Sequence, residues 1–286
     1  MKISETKQDF DKFLRVHGKI LTTDSRKKYW KIMKQFYLFT EDKEIHDITV
    51  ADFGNFKDRC YLSGNKSSTM ATALSIFVKY ALYLKANHGI NLDTQEMKNM
   101  RPIVEQDSPQ YINRDAVTSL VMVAKRDEDV AMVELLFNTG IRIQELTGIL
   151  LKDITDRTVT INDIPTIEHW LKVRGKGRKK RDIPLNSVAY SALSKHLENL
   201  KETDLSVRIF KKTYACYFKR LKRMGRITGI KISPHVLRHS FGTALNEKDI
   251  SLRNIADLMG HESMTTTVRY TKVMDKAKVA AVNALV

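Results

Sequence analysis

Apolar residues recur at helical spacing along the first third of the chain. Phe10, Phe13 and Leu14 form one stripe, which Ile20 and Leu21 extend. Tyr29, Ile32, Met33, Phe36, Tyr37 and Phe39 form a second. Positions three and four apart share one face of an α-helix, so each stripe predicts an amphipathic helix with that face inward. Thr49-Val-Ala-Asp has the form of a helix start ahead of Phe53 and Phe56. Gly64-Asn-Lys-Ser-Ser reads as a turn and cap before Met70, Leu74, Phe77, Val78, Ala81 and Leu84. The expectation for residues 1–100 is therefore four or five short helices packed as a bundle, with the aromatics in its core.

The pattern breaks at Met100–Gln110. Pro102 and Pro109 disfavour a helix there, which sets an expected linker at 101–110. Beyond it, over 111–286, the periods mix. Asn113 caps a helix carrying Val117, Leu120 and Val121, and Asp129–Asn138 predicts a second, buried helix. Gly140 ends that helix and Arg142 opens the next. Thr158–Ile161 and His169–Arg174 are β-rich, and the latter runs through glycines into Arg-Asp-Ile-Pro-Leu, a hairpin pattern. A helix over Leu185–Leu200 follows, and then a basic segment, Arg208–Lys231. The fold class expected is mainly α with a small β-hairpin or sheet.

Charge narrows the partners. The 286 residues hold 49 Lys and Arg against 33 Asp and Glu, a formal net charge of +16. Residues 1–105 have 18 basic and 13 acidic side chains and 106–286 have 31 and 20, so the excess is concentrated in the second part. Such an excess points to nucleic acid first and an acidic membrane surface second. No apolar run is long enough to span a bilayer, and no signal pattern opens the chain, so a cytoplasmic protein without a membrane partner is expected. The two cysteines, Cys60 and Cys216, lack metal-ligand spacing.

Several candidates for chemistry lie in the second part. An Arg142 at a helix start gains nothing from the dipole there, so an anion held jointly is the better account, with Glu145 bracing the guanidinium. Residues 172–181 hold seven basic side chains and no acid, among them Lys172, Arg174, Arg178 and Lys179, a density suited to phosphates. Lys176 lies between two glycines at the turn tip, with Arg174, Arg178 and Lys179 as competitors for its role. Arg208–Lys231 has nine basic residues and no acid, interleaved with aromatics, which puts Lys219, Arg220 and Arg223 forward as DNA ligands. In Ile232–Tyr270, His235 and Arg238 share a helical face, His261 follows, and Tyr270 offers a phenol nucleophile. His239 completes a His-x-x-x-His spacing, but no supporting ligand set stands nearby, so no metal is expected.

Singly, each of these residues has an ordinary reading as a cap, a core histidine or a solvated charge. Together, Thr139–Leu146, His235-Val-Leu-Arg-His-Ser-Phe, Leu258-Met-Gly-His and Arg269-Tyr-Thr resemble the tyrosine recombinases, the family of phage integrases and Xer proteins, over about 110–275. Gly242 and Ala244 stand where relatives often have Ala and His, and Met259 replaces a commoner Leu. The resemblance implies a core-binding, SAM-like helical domain followed by a mixed α/β catalytic domain. It implies Arg142, Lys176, His235, Arg238 and His261 around a scissile phosphate, and Tyr270 as the nucleophile. It also implies cleavage and rejoining through a 3′-phosphotyrosyl bond without metal, ATP or other cofactor, on a tetramer assembled over two duplex sites and joined by exchange of a C-terminal helix. The compact two-domain length favours a Xer-type dimer resolvase, with an integrase or excisionase of a mobile element as the alternative. A type IB topoisomerase shares the chemistry. A non-enzymatic helix-turn-helix regulator would explain Leu252–Tyr270 but leave Arg142, Lys176 and the His235–Arg238 pair as coincidences.

Overall fold

The computed structural model describes residues 1–17, 23–103, 110–161, 164–175 and 179–260. Lys176, Arg178, His261, Tyr270, the tail after it, and Ile20 and Leu21 lie outside the described residues. The chain divides into two compact units, Met1–Asp107 and Ser108–Val286.

In the first unit α1 (Lys7–His17), α2 (Thr23–Phe39), α3 (Val50–Leu62), α4 (Ser67–His88) and α5 (Thr94–Asn99) surround one core. The aromatics placed inward by their spacing meet there: Phe36 stacks on Phe53 at 4.6 Å between ring centroids, and Phe77 lies 4.8 Å from Phe36. Thr49 and Asp52 form the capping box that starts α3, pairing end groups that an exposed helix terminus would leave to water. Among its basic side chains, Arg26 is paired to Asp11 at 3.2 Å.

The second unit runs α6 (Arg114–Met122), α7 (Asp127–Thr139), α8 (Ile143–Leu146), β1 (Ile154–Ile161), β2 (Ile164–Arg174), β3 (Lys180–Leu185), α9 (Ser187–Leu200), α10 (Tyr214–Thr228), α11 (Pro234–Asn246) and α12 (Leu252–Met259). The three strands form an antiparallel sheet in the order β1-β2-β3. α7 lies at the centre, with Ala131, Met132, Val133, Leu135 and Leu136 fully buried. It begins two residues before the expected Asp129, because Asp127, Glu128 and Asp129 all fall in its first turn, where the helix dipole favours carboxylates. The expected helix from Leu185 begins instead at Ser187, since β3 pairs through Leu185 with His169 and Asn186 caps the helix by accepting from the Ala189 amide.

Two glycines set how closely the helices approach. Gly140 closes α7 with φ +61°, and a Cβ there would sit 2.3 Å from the Phe241 ring, so α11 packs directly on the end of α7. In α10, a Cβ at Gly225 would meet Ile232 at 2.4 Å, which holds α10 against the chain leading into α11. Among the described residues no helix is long and apolar enough to cross a membrane.

Candidate active site

Four helix ends converge in the second unit, the starts of α8 and α11 and the ends of α7 and α12. Ser233 caps α11 and Pro234 occupies its first turn, where a fixed φ and a missing N–H cost nothing. This sets His235 at the exposed start of α11 and Arg238 one turn on, buried. Arg238 donates from Nη1 to the Gly140 carbonyl and from Nη2 to the Met259 carbonyl, the latter at 2.7 Å. Its reach to Gly140 depends on the close approach at Phe241.

Arg142 is the N-cap residue of α8, and its own amide donates to Glu145 Oε2 at 2.8 Å. Its guanidinium donates from Nη1 to Glu145 Oε1 at 3.1 Å and from Nη2 to the Gly260 carbonyl at 3.4 Å. Arg181 completes the cluster. Its Nε donates to the Leu258 carbonyl at 2.8 Å, and its two terminal nitrogens hold Glu145 Oε1 and Oε2 at 3.0 and 2.9 Å. The last two carbonyls of α12, at Leu258 and Met259, and that of its C-cap Gly260 thus each receive a guanidinium. A helix C-terminus carries partial negative charge, so cations are at home there.

Electrostatics follow from this packing. Burial opposes the ionisation of Glu145, but hydrogen bonds from Arg181 and the Arg142 amide, with both arginine charges, hold its carboxyl below the usual carboxylate range. His235 is shifted the other way from a paired histidine. Loss of water around its ring lowers its pKa first, and the Arg238 and Arg142 charges push in the same direction. The imidazole is therefore driven toward its neutral form, which can accept a proton, beside the Arg142 and Arg238 guanidiniums. Planar guanidinium forks beside a neutral imidazole suit an oxyanion such as a phosphodiester.

The expected residues Arg142, Glu145, His235 and Arg238 are thus brought together. Lys172 lies on β2 opposite Asp182, and Lys179 is exposed, its carbonyl closing the hairpin with the Gly175 amide at 2.8 Å. Lys219 is exposed on α10 and Arg223 half-buried. Two of the expected DNA ligands have other partners. Arg174 grips buried Asp153 with both terminal nitrogens at 2.7 Å. Arg220 turns inward to Glu128 and to Asp129 at 3.1 Å, with 13% of its side chain exposed. It lies three residues after buried Tyr217, on the same helical face, and Glu128 also accepts from the Tyr217 hydroxyl at 2.6 Å. Arg181 belongs to no motif in the sequence beyond the basic run 172–181, and the fold brings it into the site. Among the described residues, no cluster of side chains is suited to hold a metal ion.

Residues 110–277 match the model of the phage integrase family. Tyrosine recombinase XerA of Pyrococcus furiosus is 28% identical over 96% of this chain and 91% of its own length. Tyrosine recombinase XerD of Proteus mirabilis is 30% identical over 83% of this chain and 78% of its own. The fold also matches that of a lambda integrase tetramer bound to a Holliday junction, with a TM-score of 0.72 and 20% identity over 93% of this chain and 79% of the other.

Proposed function

From the premise that this chain belongs to the phage integrase family, within the tyrosine recombinases, enzymes of DNA cleavage and rejoining, we propose that it is a site-specific recombinase acting through a 3′-phosphotyrosyl intermediate. The observation that carries this is the convergence of the Arg142 and Arg238 guanidiniums on adjacent carbonyls at the end of α12, with His235 one turn before Arg238 on α11. In the reaction, the Tyr270 oxygen attacks the scissile phosphorus and the bond to the 5′-oxygen breaks. Arg142, Arg238 and His261 hold the non-bridging oxygens, His235 takes the phenol proton, and Lys176 protonates the departing 5′-oxygen. The phosphodiester energy is kept in the tyrosyl ester, so rejoining by the 5′-hydroxyl needs no nucleotide.

The substrate is a duplex recombination site. The first unit serves as a core-binding domain, and the second, from 111, as the catalytic domain. A tetramer on two sites, joined by exchange of the C-terminal helix, carries out strand exchange. Similarity to XerA over 96% of this chain and to XerD over 83% supports a Xer-type role in resolving chromosome or plasmid dimers. The likeness of fold to lambda integrase keeps mobile-element integration as the second reading.

The test is a denaturant-resistant protein–DNA adduct on nicked duplexes selected from the host replicon, formed without metal or nucleotide. An adduct lost in Tyr270→Phe is expected, and one that persists would remove Tyr270 from the mechanism. A plasmid with two direct copies of the selected site then separates resolution from integration.

A further inference from the structure

Arg142 and Arg181 share one carboxylate, and the sharing is unequal. Arg181 contributes both terminal nitrogens to Glu145 and its Nε to the end of α12, and 14% of its side chain is exposed. Arg142 makes one longer guanidinium contact to the same carboxylate, with 37% of its side chain exposed. Two guanidiniums against one carboxylate leave one positive charge over, and the geometry leaves it on the outer arginine. Without the inner one, a buried carboxylate would draw the Arg142 fork onto itself, since an unmatched buried charge is costly.

The surroundings are shaped to this pair. A Cβ on Gly260 would lie 2.8 Å from Arg181 Nη1, and one on Gly175 would lie 3.3 Å from Glu145 Oε1. Gly260 sits at φ +65°, so a residue with a side chain would be strained there as well as crowded. The hairpin and the end of α12 both close on the Arg181–Glu145 pair through positions that have no side chain.

We propose that Arg181 is a positioning residue that neutralises Glu145 and anchors the end of α12, so that the Arg142 fork stays directed at the scissile phosphate. The second clause rests on the recombinase reading above; the anchoring does not. Lysine cannot replace Arg181, because three donors in one plane reach two elements here and an ammonium is a single point charge.

The experiment compares Arg181→Met and Arg181→Lys in the parent and in an Arg142→Ala background. It reads single-turnover adduct formation and the Kd for duplex DNA. A misdirected fork is expected to slow adduct formation about 100-fold in Arg181→Met, with Kd changed less than about threefold. Arg181→Lys should fold normally and still lose about tenfold. In the Arg142→Ala background the same substitutions should cost less than about threefold, because residues acting through one another are not additive. Equal losses in both backgrounds, or none, overturn the proposal. Should Arg181→Met fail to fold, Arg181→Lys carries the same comparison. Should the unaltered protein form no adduct, the recombinase reading falls, and hydrogen exchange of the 252–260 amides without DNA still decides the anchoring. Faster exchange in the variants supports it, and unchanged exchange ends it.

Discussion

His235 occupies a position where charge would be repelled from two sides. Loss of water around the ring and the Arg238 and Arg142 guanidiniums all place its pKa below the ordinary value, which is about 6.5. A histidine that binds protons less readily when folded makes the unfolded chain the better proton acceptor. Stability is therefore undiminished above about pH 6.5 and falls as the pH drops through that value toward the folded pKa. Glu145 acts in a lower window, because its depressed pKa costs stability only as the pH falls below the ordinary carboxylate range. Urea unfolding between about pH 5 and 7 separates the two. The parent is expected to lose stability over this interval, and His235→Asn to lose measurably less. Equal slopes would mean that the ring is not held neutral by its neighbours.

Each face of α10 has its own task. Tyr217, Leu221 and Met224 are buried, and Arg220 shares their face, whereas Lys219, Lys222 and Arg226 are exposed. Arg220→Ala would leave Glu128 and Asp129 without their cation and is expected to cost about 3 kcal/mol in stability. Its effect on DNA affinity should be small once the protein is folded. Lys219→Ala should do the reverse, leaving stability within about 0.5 kcal/mol and weakening DNA binding alike across sequences. Thermal unfolding and anisotropy titrations on both variants check this, and weakened binding from a fully folded Arg220→Ala would return that residue to the DNA face. The contrast also marks where sequence was informative. Helical spacing identified the bundle core, Asn113 as a cap, Gly140 as a helix end, and Arg142 with Glu145 as a pair, because each of these is a local rule. Arg220 could have been read inward from its spacing to Tyr217. Arg181 could have been read inward from the alternation Arg181, Ile183, Leu185, the last two of which are buried. Their partners could not be read, since Glu128 and Glu145 lie 92 and 36 residues away and only packing brings them near. The start of α9 is hidden for a related reason: whether Leu185 ends a strand or begins a helix is decided by its pairing with His169.

At the scale of the whole molecule, carboxylates and lysines are used differently. Asp129, Glu134, Glu145 and Asp153 are buried in the second unit, matched by Arg220, Arg114, Arg181 and Arg174. Those pairs are close to neutral, so they add little to the field outside. The excess positive charge of residues 106–286 therefore rests on exposed side chains such as Lys179, Lys180, Lys219 and Lys222. Contacts made by such a surface release counterions and weaken steeply with salt. A footprint of about 6–10 phosphates predicts a loss of about 10³–10⁵ in affinity for duplex DNA between about 50 and 200 mM salt. The Glu145–Arg181 pair is largely enclosed and is screened much less, while Arg142 beside it meets the phosphate. The rate of adduct formation at saturating DNA should then stay within about threefold over the same range, because bound DNA covers Arg142 and the enclosed Glu145–Arg181 pair that steadies it feels little of the added salt. Anisotropy and single-turnover cleavage, run side by side across the salt series, read the two quantities separately. A bound-state rate that falls as steeply as the affinity would show that the phosphate is held by the solvated lysine surface, not by the arginine cluster.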